Sequence, residues 1–166
     1  VSIFNNLEIP ENILVKGNGK LRETLACFQM ISKILNVPIR KDSIEKILRD
    51  FISRGAKIDI QLIAEILSNL GLHVSKGQIP PNMAFRLQTP CVIKWKNSFA
   101  LIIKSSQEGI LIASQVDGFI SVSSEKIETF FEEGISILLI EKTTETPQVV
   151  FSLNWFWSAI KKYKLV

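Results

Sequence analysis

A chain of 166 residues with 46% apolar and 22% charged content is one domain, or one domain with a short flank, with enough apolar side chain for a core; disorder is excluded on composition. Its formal charge of +4, from 20 Lys+Arg against 16 Asp+Glu, permits contact with acidic lipid or peptide. It does not call for nucleic acid, since no Lys/Arg stripe carries interleaved aromatics. Two distant cysteines, Cys27 and Cys91, and a single histidine, His73, are too few for a Cys/His metal site or a disulfide framework. No metal and a reducing compartment are therefore expected. The N-terminal stretch lacks the basic and apolar regions of a cleavable signal, and no run reaches the ~20 apolar residues of a membrane span. A soluble chain is the expectation.

Residues 1–19, with Gly17 and Gly19, show little periodicity and read as an irregular lead-in. From Arg22 the spacing predicts a helix. Leu25, Phe28, Met30, Ile31, Ile34 and Leu35 share one face, and Pro38 stops it. A second helix follows in "KDSIEKILRDFISRG". Asp42 and Glu45 form a candidate capping box there, Ile44, Ile47, Leu48, Phe51 and Ile52 face the core, and Gly55 closes it. Asp59 caps a third helix that buries Ile60, Ile63, Leu67 and Leu70 and ends at Gly71.

Beyond Gly71 the texture changes. "LHVSKGQ" is extended, and "IPPNMAFRL" is a loop or a helical turn. "CVIKW", "FALIIK", "GILIAS", "GFISV" and "ISILLIEK" are strands, with "KNS" and "SSQE" as tight hairpin connections. Ser124 can cap one more helix with Ile127, Phe130 and Phe131 inward. Helices first and then a meander of antiparallel strands make an α+β fold spanning residues 20–143. Residues 144–166 form a polar linker and then an amphipathic tail. In it Trp155, Phe156 and Trp157 stand beside Lys161, Lys162 and Tyr163, a composition that suits either a membrane interface or a docked terminal helix.

Catalytic signals are sparse. A cysteine nucleophile needs its thiolate favoured by a histidine or a helix N-terminus. Cys27 lies about one turn inside its helix among core residues, and His73 is the one available base, on an extended segment with no orienting carboxylate. Cys27 reads as a buried filler and His73 as an edge residue. "KGNGK" lacks the phosphate-loop pattern, and no G-x-S-x-G elbow occurs.

The order of segments resembles the N-terminal cysteine-peptidase domain of bacterial ABC exporters, the papain-like family that trims bacteriocin leader peptides. The resemblance rests on "ETLACFQMI", which is similar to "C-G-x-A-[CS]-L-x-M". It continues through "TPCVIKWKNSFALII", similar to "P-x-I-x-[HL]-W-x-N-x-H-F-V-V-L", and "ILIASQVDGFISV", similar to "I-x-I-x-D-P-x-x-G". It extends into "FSLNWFWSAIKKYKLV", similar to the segment leading into the first membrane helix of type I secretion exporters. That likeness implies a papain-like fold, and it implies an interfacial role for the tail in an intact parent. It also puts Gly17 where the family has its oxyanion Gln, Glu23 where it has the nucleophilic Cys, Ser98 at the His and Ser114 at the Asp. Gln115 takes the place of the Pro, while Phe99 and Gly118 are kept.

With all four reactive groups replaced, the resemblance implies a scaffold without its chemistry, docking unfolded secretion substrate on the cytosolic face of the bacterial inner membrane. The substrate contacts expected are Trp95, Phe99 and Glu23; plain core packing on two paired strands is the alternative for Trp95 and the stronger reading for Phe99. No cofactor is expected in this domain. ATP and Mg2+ would belong to the nucleotide-binding domain of the exporter, itself expected to be homodimeric. Two other readings stand beside this one: a structural or regulatory module that touches no cargo, and a leader peptidase using a relocated Cys27–His73 pair.

Overall fold

The computed structural model describes residues 13–144 and Thr146. Three helices open it: α1 (Lys20–Leu35), α2 (Lys41–Ser53) and α3 (Ile60–Asn69). α1 ends where Asn36 turns left-handed (φ 53°), and the Ser32 hydroxyl donates to the Val37 carbonyl at 2.6 Å. α3 is capped as its sequence predicts, with the Asp59 carboxylate accepting from the Leu62 N–H at 2.9 Å. α2 departs from expectation. It starts at Lys41 with Arg40 as its N-cap, because the chain already turns helical there and the Ile44 N–H reaches the Arg40 carbonyl. Asp42 consequently lies inside the first turn and caps nothing through its side chain, and Glu45 pairs with Arg49 at 2.8 Å instead. Ile52, expected on the core face, is 43% exposed.

Six strands follow: β1 (His73–Ile79), β2 (Cys91–Trp95), β3 (Ser98–Ser106), β4 (Gly109–Ser114), β5 (Gly118–Ser123) and β6 (Ile135–Glu141). A 3-10 turn (Pro81–Arg86) precedes β2, and a one-turn helix α4 (Ile127–Phe130) precedes β6. The strands make one antiparallel sheet in the order β1-β6-β2-β3-β4-β5. This is more than a meander, since β6 returns to pair with β1 and β2 at once. The burial of the strands explains the choice. β1 is polar and mostly exposed and tolerates an edge, whereas β6 is largely buried and would leave apolar surface and unpaired backbone there.

Both sheet faces are covered. α1, α2 and α3 pack on one, where Phe28, Ile31, Ile44 and Ile63 meet Val92, Leu101 and Leu111. On the other, the 3-10 turn and the α4 region cover Cys91, Ile93, Ile102 and Ile112. Two-sided burial is why β2, β3 and β4 carry continuous apolar runs without alternation.

The helix expected after Ser124 is shorter than its sequence suggests. The Ser124 N–H extends the β4–β5 hairpin by donating to the Glu108 carbonyl, so the helical turn starts only at Ile127. Phe131 breaks it, and Gly134 at φ +92° feeds β6. Ile127 and Phe131 are buried as expected, but Phe130 is 48% exposed and stacks on Trp95 with ring centroids 6.1 Å apart. Past β6, Thr146 is buried and donates to the Gly71 carbonyl at 2.8 Å, so the chain is still held to the domain there. Among the described residues no helix is long and apolar enough to cross a membrane. The tail candidates Trp155, Phe156, Trp157, Lys161, Lys162 and Tyr163 lie outside the described residues.

Candidate functional site

The β2–β3 and β4–β5 turns meet the start of α1 at one end of the sheet. Gly17 donates its N–H to the Gln115 carbonyl at 3.2 Å, and Gln115 Nε2 donates to the Glu23 carbonyl at 2.7 Å. These two bonds tie the lead-in and the first turn of α1 to the β4–β5 turn. Lys20 Nζ adds a third tie by donating to the Asn97 carbonyl at 3.0 Å, and it also sits 5.3 Å from the centre of the Phe99 ring. Position 17 is made for glycine, because a Cβ there would stand 2.6 Å from the Arg22 carbonyl oxygen.

Each expected position has a definite environment. Glu23 lies in the first turn of α1, where the Gly19 N–H donates to its Oε1 at 3.1 Å. A carboxylate is favoured there by the unpaired N–H groups and the positive end of the helix. The two-residue turn Lys96–Asn97, with Lys96 at φ +54°, pairs Trp95 with Ser98 across the hairpin. Ser98 is 8% exposed, and its Oγ is the single buried side-chain polar atom without a partner among the described residues. Ser114 closes the β4–β5 turn. Its Oγ accepts from the Val116 and Asp117 N–H groups and donates to Asp117 Oδ2 at 3.4 Å.

The same Asp117 oxygen accepts from Lys96 Nζ at 2.7 Å and from Trp95 Nε1 at 3.2 Å. The Lys96 bond first, and the Trp95 bond next, hold its carboxyl below the ordinary value of 3.8. Glu23, Trp95, Ser98, Phe99 and Ser114 all line one cleft of about 200 Å³. Two of them are not free: Trp95 is spent on Asp117 and Phe130, and Phe99 is buried in the core.

Cys27 and His73 are not brought together. Cys27 is 1% exposed, and burial pushes its thiol up to about 12. His73 is exposed on the edge strand β1, with Ser75 Oγ 3.5 Å from its Nε2. α1 packs on β3, whereas β6 and β2 stand between β3 and β1, a separation of roughly 14 Å at the usual strand spacing. Cys91 is buried too and its thiol is likewise pushed up to about 12. No group of three or more His, Cys, Asp or Glu side chains able to hold a metal occurs among the described residues.

The Peptidase C39 family model matches residues 21–145. The chain belongs to that family. No curated protein matches it. Solved structures share the fold at low identity. A double-glycine-motif protease from an AMS/PCAT transporter, crystallised in complex with its leader peptide, is 16% identical with a TM-score of 0.62, over 78% of this chain and 91% of that one. The peptidase domain of Streptococcus ComA, a bifunctional ABC transporter of a quorum-sensing pathway, is 13% identical with a TM-score of 0.58, over 78% and 98%. The helices and antiparallel sheet are the papain-like fold that the resemblance implies.

Sequence reasoning missed Asp117, Lys96, Asn97 and Lys20 at this site. Asp117 had a signal: an Asp-Gly pair between two strands marks a turn whose carboxylate lies beside both strand ends. The Lys20–Asn97 bond spans 77 positions and had none.

Proposed function

We propose that this chain is a non-hydrolytic, peptidase-shaped docking module of an ABC-type exporter, holding unfolded secretion substrate on the cytosolic face of the bacterial inner membrane. One observation carries this reading. The cleft formed by Glu23, Ser98 and Ser114, where the family resemblance expects Cys, His and Asp, is lined by neither a thiol nor an imidazole. Peptide cleavage by this family's route needs an activated thiolate with a base in reach. A serine hydroxyl without a base is a weak nucleophile, and a carboxylate at the helix start does not replace a thiolate. What the cleft offers a peptide is the exposed Lys96–Asn97 turn and the edges of Trp95 and Phe99 along its wall. The leader peptide held by the AMS/PCAT protease supports a peptide as the ligand of such a scaffold.

In this reading ATP and Mg2+ serve the exporter's nucleotide-binding domain, the module uses neither, and the parent is a homodimer. The tail residues Trp155–Trp157 and Lys161–Tyr163 lead to the membrane. A second reading, a bracing module that touches no cargo, draws on the engagement of Trp95 within the domain.

The test is anisotropy titration of a fluorescein-labelled unfolded peptide that carries a double-glycine leader followed by further residues, with chromatography of the same mixture for products. Saturable binding with the peptide intact is expected. No saturable binding at low salt favours the bracing role, and accumulation of a cleaved leader overturns the non-hydrolytic reading.

A further inference from the structure

A larger cleft, of about 610 Å³, adjoins the first and shares Lys96, Asn97, Ser98 and Phe99 with it. It opens between the start of α1, the α2–α3 connection and the β2–β3 hairpin. Four lysines line it, Lys20, Lys57, Lys94 and Lys96, against the one carboxylate of Asp59. Asp59 is already committed to capping α3. Lys20 and Lys96 are tied to Asn97 and Asp117. The side chains of Lys57 and Lys94 make no hydrogen bond or ion pair with any described residue.

Lys94 is the informative one. It pairs with Phe99 across the hairpin, on the sheet face whose neighbours Val92 and Leu101 are buried under the helices. A charge on that face stays solvated because Lys94, unlike its buried neighbour Phe99, is exposed to the open cleft. Ile52, the α2 residue displaced from the core, supplies an apolar wall. Converging like charges repel one another and favour an anionic occupant.

We propose that this cleft takes the acidic side chains of an extended peptide whose adjoining segment lies in the smaller cleft, an inference that rests on the docking function above. Lysines spread along a groove with an apolar wall suit carboxylates borne along a chain. A compact phosphate fits less well. No arginine lines the cleft to grip it bidentately, and the α3 N-terminus already holds its own carboxylate.

The experiment uses the chain of residues 1–166 and two fluorescein-labelled extended peptides, one carrying several glutamates and its twin with glutamine at the same places. Anisotropy is read for the wild type and for the Lys57→Ala/Lys94→Ala variant, whose exposed side chains can be removed without loss of packing; circular dichroism checks its fold. The wild type is expected to prefer the glutamate peptide by about tenfold at low salt, and the preference is expected to shrink toward 0.3 M salt as screening sets in. The double variant is expected to lose roughly three- to tenfold of that preference. Equal binding of the two peptides by the wild type, or a preference undiminished in the double variant, overturns the basic-cleft assignment and leaves docking intact. Failure of both peptides to bind overturns docking itself.

Discussion

Glu23 and Cys27 stand four positions apart on α1 and so point along nearly the same side of it, yet they occupy opposite chemical worlds. Glu23 lies in the first turn, half-exposed in a cleft, with a backbone N–H on its carboxylate. Cys27 lies one turn deeper, sealed in the helix-facing core with its thiol pushed up to about 12. The difference teaches that reactivity here belongs to a position and not to a residue type. The helix start is where an anion is stabilised, and Cys27 is not at it.

Exchanging the residue types across that one turn is the sharpest way to break the comparison. In the variant Glu23→Cys, iodoacetamide at pH 7.5 is expected to modify the new thiol at least about 1,000-fold faster than Cys27 or Cys91. A thiol near its free value of 8.5 is about a tenth ionised at that pH, and one near 12 is ionised only in roughly the 10⁻⁵ range. Peptide mass mapping over time reads the three rates separately. Comparable rates at positions 23 and 27 would show the core around Cys27 to be open, and the contrast would collapse.

Stability gives a second contrast between the same two regions. Ile31, next to Cys27 in the core, is fully buried, whereas Val116, on the cleft rim, is 57% exposed. Ile31→Ala is expected to cost about 2–5 kcal/mol, the transfer loss of the side chain plus the cavity left behind. Val116→Ala is expected to stay within about 0.5 kcal/mol of the wild type. Urea denaturation with an unchanged m-value checks both. A Val116→Ala loss as large as that of Ile31→Ala would mean that the cleft rim is part of the core.

Much of this architecture was readable from spacing. The faces of α1 and α3 follow from a period of 3.6, the Asp59 cap and the β2–β3 and β3–β4 turns from their own residues, and the six strands from short apolar, β-branched runs bounded by turn residues, all of which act locally. What spacing could not supply depends on partners far along the chain. β6 sits between β1 and β2 because edge polarity decides strand order, and Ile52 faces the open cleft beside the β2–β3 hairpin and not the core. Ser124 fails as a cap because its backbone serves a hairpin. The site followed the same division. Glu23, Ser98 and Ser114 could be gathered into one cleft from the family resemblance, whereas the Asp117 bonds to Trp95 and Lys96 needed two turns to be folded together.

The smallest expected effect lies in those Asp117 bonds, and it separates the cleft from the core by pH. Ionised Asp117 is stabilised in the folded state by Lys96 and Trp95, so its carboxyl titrates below 3.8 there and close to that value when unfolded. A depressed folded value means that the contribution is complete above the unfolded value. It is lost as pH falls from about 3.8 through the lower folded value, because the unfolded chain then takes up the proton first. The group is exposed and solvent screens it, so Asp117→Asn is expected to lower Tm at pH 7 by no more than about 3 °C. The gap between wild type and variant should close as the pH is taken below 3.8, whereas the gap for Ile31→Ala persists on the same acid side. Melting curves by circular dichroism at stepped pH distinguish the two. A gap for Asp117→Asn that fails to close in acid would assign the turn's stability to the shape of the β4–β5 connection and remove the charge of Asp117 from the account.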